Sequence, residues 1–131
     1  MEIDRKVNIH MKLKNNLAFA SIVKTYEAKY GQPYTPRQLE ELKLGYERDV
    51  NILLYADPKY SCYEMREIRI GLENSVDISK YAYANFNCLQ MQEIRLGLEF
   101  GIDVSGYADP DLSYLVMRDA RERLEARRFS K

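Results

Sequence analysis

Few residues in this chain have the chemistry of metal ligands or redox-active thiols. Cys62 and Cys88 lie 26 residues apart, and His10 is the single histidine. Structural zinc sites usually combine four Cys and His ligands, so these three residues make a poor set. Packed helix axes lie about 8–10 Å apart, whereas a disulfide needs Cα atoms within about 7 Å. We therefore interpret both cysteines as reduced packing residues, and we expect no metal and no cofactor.

The carboxylates could support general acid–base chemistry, but they recur at a fixed step. Glutamates lie 26 residues apart at Glu47, Glu73, Glu99 and Glu125. A catalytic pair would be a single exception in such a pattern, so the periodicity favours a structural or solvated role. The chain has no nucleophile elbow and no His-Glu-x-x-His motif, and one histidine leaves little for general base catalysis. We therefore predict that the protein is not an enzyme.

The same step of 26 residues extends to most positions between residues 35 and 125. Residue types that cap helices recur at Thr35, Ser61, Asn87 and Ser113. Glutamine or glutamate follows three of these caps at the spacing of a capping box, at Gln38, Glu64 and Gln90. Apolar residues then follow helical spacing, as in Met65, Ile68 and Leu72. The pattern predicts an all-α solenoid of about four 26-residue repeats, each a helix of roughly 13–14 residues plus a short returning turn.

Two further rows of the repeat carry expectations about packing. Glycines at Gly45, Gly71 and Gly97 fall in the middle of helices, where each costs about 1 kcal/mol relative to alanine. We expect the close approach of a neighbouring helix backbone to offset this cost. Arg69 and Arg95 each precede a glutamate by four residues, and we expect pairing between stacked repeats as a second use of these charges.

The two ends of the array differ from its middle. In the fourth copy Arg123 replaces the glycine and Glu122 replaces an apolar residue, as is typical of a terminal repeat with a polar outer face. At the other end, an apolar stripe that includes Phe19 and Tyr26 predicts a capping helix over about residues 15–30. The residues before it favour an extension of this helix over a strand or a flexible arm.

Length and composition predict one domain. The 131 residues divide into an N-terminal capping segment, 1–34, and the helical repeats, 35–131. The formal net charge is zero, but residues 31–116 carry 14 acidic against 8 basic residues, so both ends are basic. The apolar runs are too short to span a bilayer, and the N-terminus does not resemble a signal peptide. These features predict a cytoplasmic protein with no membrane partner.

The repeat resembles a short helical repeat found in bacterial proteins, in low-GC Gram-positive gut bacteria and in their phages and mobile elements. Its phrase is Tyr-Ala-Asp-Pro, an aromatic residue and a helix cap, followed by Met-x-Glu-Ile-Arg-x-Gly-Leu-Glu. Residues 55–81 and 81–107 carry it, with partial copies at 35–54 and 107–125. The resemblance implies an architecture and a genomic context, and it implies no activity. The second copy departs from the phrase, with Tyr83-Ala84 in place of Asp-Pro.

Positions that vary within the common frame are the candidates for partner binding. Arg, Tyr and Phe are residue types that are enriched at the hot spots of interfaces. The partner-binding candidates are Arg66, Tyr83, Gln92, Phe100 and Arg118. The alternative is ordinary surface variation, with Phe100 or Tyr83 packed under the next repeat. Tyr60 and Tyr63, on either side of Ser61, are further candidates for exposure.

We therefore predict a non-enzymatic, protein-binding repeat module. Its most concrete form is a phage or mobile-element accessory factor that binds and inhibits a host protein such as an immune nuclease, in an anti-CRISPR type of role. In that form the acidic middle of the chain would compete for the DNA channel of the nuclease.

Two alternatives stay open at this point. One is nucleic-acid binding through the basic ends, where the positive residues are Lys12, Lys14, Lys24, Arg118, Arg121, Arg123, Arg127 and Arg128. The other is a self-assembling homo-oligomer, in which repeats of different copies stack end to end.

Overall fold

The computed structural model describes residues 2–83 and 85–129, with side chains from residue 14 onward. All regular structure in these residues is helical, which confirms the all-α prediction. The five α-helices are α1 (Glu2–Tyr30), α2 (Pro36–Glu47), α3 (Cys62–Glu73), α4 (Cys88–Glu99) and α5 (Tyr114–Phe129). Single 3-10 turns follow two of them, at Ile52–Leu54 and Ile78–Lys80. None of the described helices carries an apolar stretch of the length that a bilayer crossing requires.

The helices α2 to α5 begin where the caps predict. Thr35, Ser61 and Asn87 each accept a hydrogen bond from the backbone of the third helical residue, whose side chain returns the bond to the cap. The Ser113 hydroxyl accepts from the Val116 N–H at 3.3 Å. Each cap satisfies an orphan amide of the first turn, and its loss would cost about 1 kcal/mol.

The helices α2, α3 and α4 end in one common motif after 12 residues each, slightly earlier than the sequence predicts. Asp49, Ser75 and Gly101 have positive φ angles of 58°, 60° and 80°. Beyond this residue the chain bonds back across the last turn, as in the 3.0 Å bond from the Val76 N–H to the Gly71 carbonyl. This is the Schellman arrangement, in which a left-handed residue stops the helix.

The first helix covers the predicted segment and extends beyond it to Glu2. Glu27 accepts a 2.8 Å hydrogen bond from the Tyr34 N–H near the start of α2, and Phe19 lies against Tyr46 near the end of α2. Because the order of these contacts is reversed along the chain, α1 runs antiparallel to α2.

The core lies along one side of the helices, which pack in chain order from α2 to α5. Methionine and isoleucine side chains of this core are fully buried at Met65, Ile68, Met91 and Ile94, and Met117 continues the row. The returning turns close the core with the buried tyrosines Tyr55, Tyr81 and Tyr107. Apolar burial of this kind is the main favourable contribution to folding.

The mid-helix glycines do not serve the purpose predicted for them. A Cβ atom at Gly71 would overlap the hydroxyl of Tyr81, which comes ten residues later in the same repeat unit. That hydroxyl donates a 2.7 Å hydrogen bond to the Glu67 carbonyl in the preceding turn of α3. Gly45 and Gly97 hold Tyr55 and Tyr107 in the same way. A hydrogen-bonded phenol of the returning turn, and no neighbouring helix backbone, therefore occupies the space that each glycine leaves.

Candidate functional site

The charged residues between neighbouring helices form paired contacts that the structure repeats three times. The guanidinium of Arg95 on α4 donates to Glu67 of α3 at 2.7 Å and to Glu99 of its own helix at 2.7 Å. Arg69 binds Glu41 and Glu73 in the same geometry. The third set joins Arg121 to Glu93 at 2.8 Å and to Glu125 at 2.7 Å. Arginine thus pairs both along its helix and across to the preceding one.

The expected pairing between stacked helices therefore occurs, but its partner is a glutamate row that the sequence analysis did not select. The row is Glu41, Glu67 and Glu93, and its 26-residue spacing was the available signal. Burial by itself would lower the pKa of the Arg95 guanidinium, but hydrogen bonds and charge from Glu67 and Glu99 outweigh it and raise the pKa. These arginines stay charged and hold helices together, so the paired carboxylates have no free base function.

The thiols have no partner of their own kind. Cys62 and Cys88 are free and half-buried at the first positions of α3 and α4, as predicted. Burial raises the pKa of the Cys88 thiol, which makes it less reactive at neutral pH. Among the described side chains, no group of three or more His, Cys, Asp or Glu residues is placed to hold a metal ion. The side chain of His10 lies outside the described residues.

One side of the helices faces away from the core and from the returning turns. On α3 this side carries Tyr63, Arg66, Ile70 and Asn74, which share one stripe of the helix because they are three or four residues apart. The equivalent stripe of α4 consists of Leu89, Gln92, Leu96 and Phe100. The stripe of α5 consists of Leu115, Arg118, Glu122 and Ala126. We call these three stripes together the helix face.

Four of the five partner-binding candidates lie on the helix face. Arg66, Gln92 and Arg118 occupy the same position of α3, α4 and α5 and therefore form one row across three helices. Arg118 donates to Glu93 at 3.0 Å, whereas Arg66 has no ion pair within the described part of the chain. Phe100 caps the C-terminal end of α4 and is half-buried against Phe129, with ring centroids 5.4 Å apart.

Tyr83 does not join this group. It precedes the N-terminus of α4, is 50% exposed and packs beside Phe86. Phe100 lies at the opposite end of the same 12-residue helix, and a helix of that length spans about 18 Å. Tyr83 and Phe100 therefore belong to different parts of the surface.

The structure adds an exposed apolar row that the sequence analysis identified only at one position. Tyr63, Leu89 and Leu115 occupy the second position of three successive helices and are 55%, 43% and 58% exposed. We call them the apolar ridge. Exposure of Tyr63 is confirmed, but exposure of Tyr60 is wrong, because Tyr60 is buried and donates to the Ala82 carbonyl at 2.9 Å. The missed signal was that Leu89 and Leu115 fall outside the core spacing of their helices.

A groove between α1 and α2 is the other apolar surface feature. It has a volume of about 480 Å³, and Phe19, Val23 and Leu39 contribute to its lining. Two lysines and two glutamates also line it, at Lys24, Lys43, Glu27 and Glu40. Because these charges balance, the groove does not favour a partner of either sign.

The basic C-terminal segment is largely engaged within the protein. Arg121 and Arg118 bind Glu93, and Arg123 binds Asp119 at 3.0 Å. The guanidinium of Arg128 donates to the carbonyls of Phe100 and Gly101. The side chain of Lys12, at the other basic end, lies outside the described residues.

Comparison with known proteins adds no relative. No protein-family model matches the chain, and it has no significant match among curated proteins or solved structures.

Proposed function

We propose that α2 to α5 form a solenoid of four 26-residue repeats, preceded by α1 as a cap, and that the helix face binds another protein. The solenoid is supported by contacts that recur at constant sequence offsets. Tyrosine hydroxyls bond to carbonyls 14 residues earlier, and arginines bond to glutamates 28 residues earlier. Amides of Gln38 and Gln90 donate to carbonyls 22 residues later. Each helix is thus tied to its neighbour in the same way.

The observation that carries the binding role is the exposure of the apolar ridge beside Arg66. Most large apolar side chains of α3 and α4 are packed, whereas Tyr63, Leu89 and Leu115 remain in solvent. Exposed apolar patches with arginine and aromatic residues are typical of protein interfaces. A repeat frame keeps such positions free to vary, because other positions hold the stack.

Within this class, inhibition of a host immune nuclease is the most concrete role, and it draws on the resemblance to repeats of phages and mobile elements. Many carboxylates of the acidic middle are paired with arginines, including Glu41, Glu67 and Glu93. An inhibitor of this design would therefore act through the helix face and would not imitate DNA. Cleavage assays with a panel of bacterial immune nucleases test the role, and activity unchanged at micromolar excess of this protein would remove it.

The alternatives have less support. Nucleic-acid binding through the C-terminal segment would need arginines that already hold carboxylates or carbonyls. A salt-dependent gel shift tests it. End-to-end assembly would need a repeat-like outer surface on α5, but Arg123 stands at the glycine position and pairs with Asp119. Light scattering at two concentrations measures whether the chain self-associates.

The binding role is tested with a photo-crosslinking amino acid at Leu89. We expect a specific adduct with one partner, and the combined change Arg66→Ala and Gln92→Ala should reduce its yield at least about tenfold. Phe100 and Arg118 are left intact in this variant because they pack on Phe129 and pair with Glu93. Tyr83→Ala serves as a control away from the helix face. Equal adduct yield from every variant would contradict the proposal.

A further inference from the structure

The apolar ridge is a short line of side chains across three helices. Its members follow one another at the spacing of packed helix axes, about 8–10 Å. Val116, which is also exposed, extends the ridge beside Leu115. A line of this kind can take two or three apolar side chains of a partner segment that crosses the helices. It lacks the depth of a small-molecule pocket.

The charge beside the ridge is positive and uncompensated. Arg66 lies one turn after Tyr63 on the same side of α3 and has no ion pair among the described residues. The guanidinium of Arg37 on α2 donates to the Tyr63 hydroxyl at 3.0 Å, which brings a second positive group to this end of the ridge. In contrast, Arg69 between the helices binds two glutamates. A free guanidinium beside apolar side chains favours a carboxylate partner, which it can bind in bidentate geometry.

We infer that the helix face binds a short acidic segment of another protein, with apolar side chains on the ridge and a carboxylate on Arg66. This rests on the protein-binding role proposed above and specifies the chemistry of the partner. Aspartate or glutamate within one or two residues of a Leu, Ile or aromatic residue would satisfy both features of the surface at once. The partner segment gains affinity from burial of the ridge and selectivity from the charge.

An anionic membrane fits this surface less well. Membrane attachment by charge requires clusters of basic residues, and the helix face offers Arg66 alone without an internal partner. Glu122 also lies on the helix face, on the α5 stripe, where it would repel lipid phosphates. The same shortage of free cations disfavours a nucleic-acid backbone, which needs several phosphate contacts for useful affinity.

The inference is tested by selecting a display library of random linear peptides against the full chain. We expect enriched peptides to combine Asp or Glu with Leu, Ile or aromatic residues. A synthetic peptide of that group should lose at least about tenfold in affinity with Arg66→Glu and with Leu89→Asp. Arg127→Glu is the matched control, because it makes the same charge change at an exposed arginine far along α5, and it should alter affinity less than about twofold. Circular dichroism confirms that each variant is folded.

Several outcomes would overturn the inference. They are enrichment of neutral or basic peptides, no enrichment at all, or equal binding by Arg66→Glu. Loss with Leu89→Asp but not with Arg66→Glu would leave the protein-binding role intact and reject the acidic partner. Sedimentation with phosphatidylserine vesicles that depends on Leu89 and Arg66 would assign the surface to lipid instead.

Discussion

At the scale of single residues, the contact between each buried tyrosine and a helix glycine explains the most regular feature of the chain. Tyr81 is fully buried, and its hydroxyl occupies the space where Gly71 lacks a side chain. The hydrogen bond to the Glu67 carbonyl satisfies a phenol that would otherwise be costly to bury. The glycine therefore reduces the intrinsic stability of the helix and allows the returning turn to dock.

We expect Gly71→Ala to destabilise the protein by about 1–3 kcal/mol, although alanine favours a free helix by about 1 kcal/mol, because the added methyl group would collide with the phenol. In the background Tyr81→Phe the loss should be smaller by at least about 1 kcal/mol, since the overlapping oxygen is gone. Urea unfolding of the single and double variants measures both. Gly106→Ala, with open space around its Cβ, is the control. A stabilised Gly71→Ala variant would refute this account.

At the scale of elements, each repeated helix is defined at both ends by local hydrogen bonds. The capping boxes start α2, α3 and α4, and a residue with positive φ stops them. Gly101 adopts that conformation at no steric cost, whereas Ser75 does so with a Cβ atom. Left-handed conformations cost non-glycine residues about 1–2 kcal/mol, so α3 ends under strain that α4 avoids.

Ser75→Gly should therefore stabilise the protein by about 0.5–1 kcal/mol, after the added freedom of the unfolded chain is subtracted. The thermal midpoint and urea midpoint should both rise. The converse change Gly31→Ala, at φ of 69° with no neighbour within 4 Å of the new Cβ, should destabilise by a similar amount. If Ser75→Gly lowers both midpoints, the backbone conformation is not the controlling factor at this position.

At the scale of the whole molecule, stability depends on polar groups that are buried only because the helices stack. Phenols of several tyrosines donate to carbonyls of other segments, and burial raises the pKa of Tyr34 from 10.0 to about 12. Burial likewise raises the pKa of Tyr55, Tyr81 and Tyr107. The arginine–glutamate pairs between the helices are buried in the same way.

The protein should lose stability as the pH rises from about 10 toward 12. In this range the unfolded chain releases phenol protons while the folded chain retains them, so deprotonation favours unfolding. The contribution is fully present below the unfolded pKa and disappears as the pH passes the folded pKa. Urea midpoints measured between about pH 8 and 11 test this, and Tyr34→Phe should flatten the decline. A decline of equal slope in wild type and Tyr34→Phe would argue against a role of this phenol.

The candidate site could be predicted from the sequence only in part. Arg66, Gln92 and Arg118 share a row on the helix face because their 26-residue spacing matches the repeat. Tyr83 and Phe100 were grouped with them because they also vary, but variation along a sequence does not place two residues on one surface. Exposure of Leu89 and Leu115 depended on which side of each helix the returning turns cover.

The sequence by itself determined where the repeated helices start, because caps such as Ser61 and the glutamate or glutamine that follows act within four residues of the chain. It also determined that a single unit recurs. The tertiary structure decided what the glycines accommodate, which glutamates bind the arginines and which side stays open. Those contacts join residues 14 to 28 positions apart, and several partners satisfy the same spacing until the backbone places them within hydrogen-bonding distance.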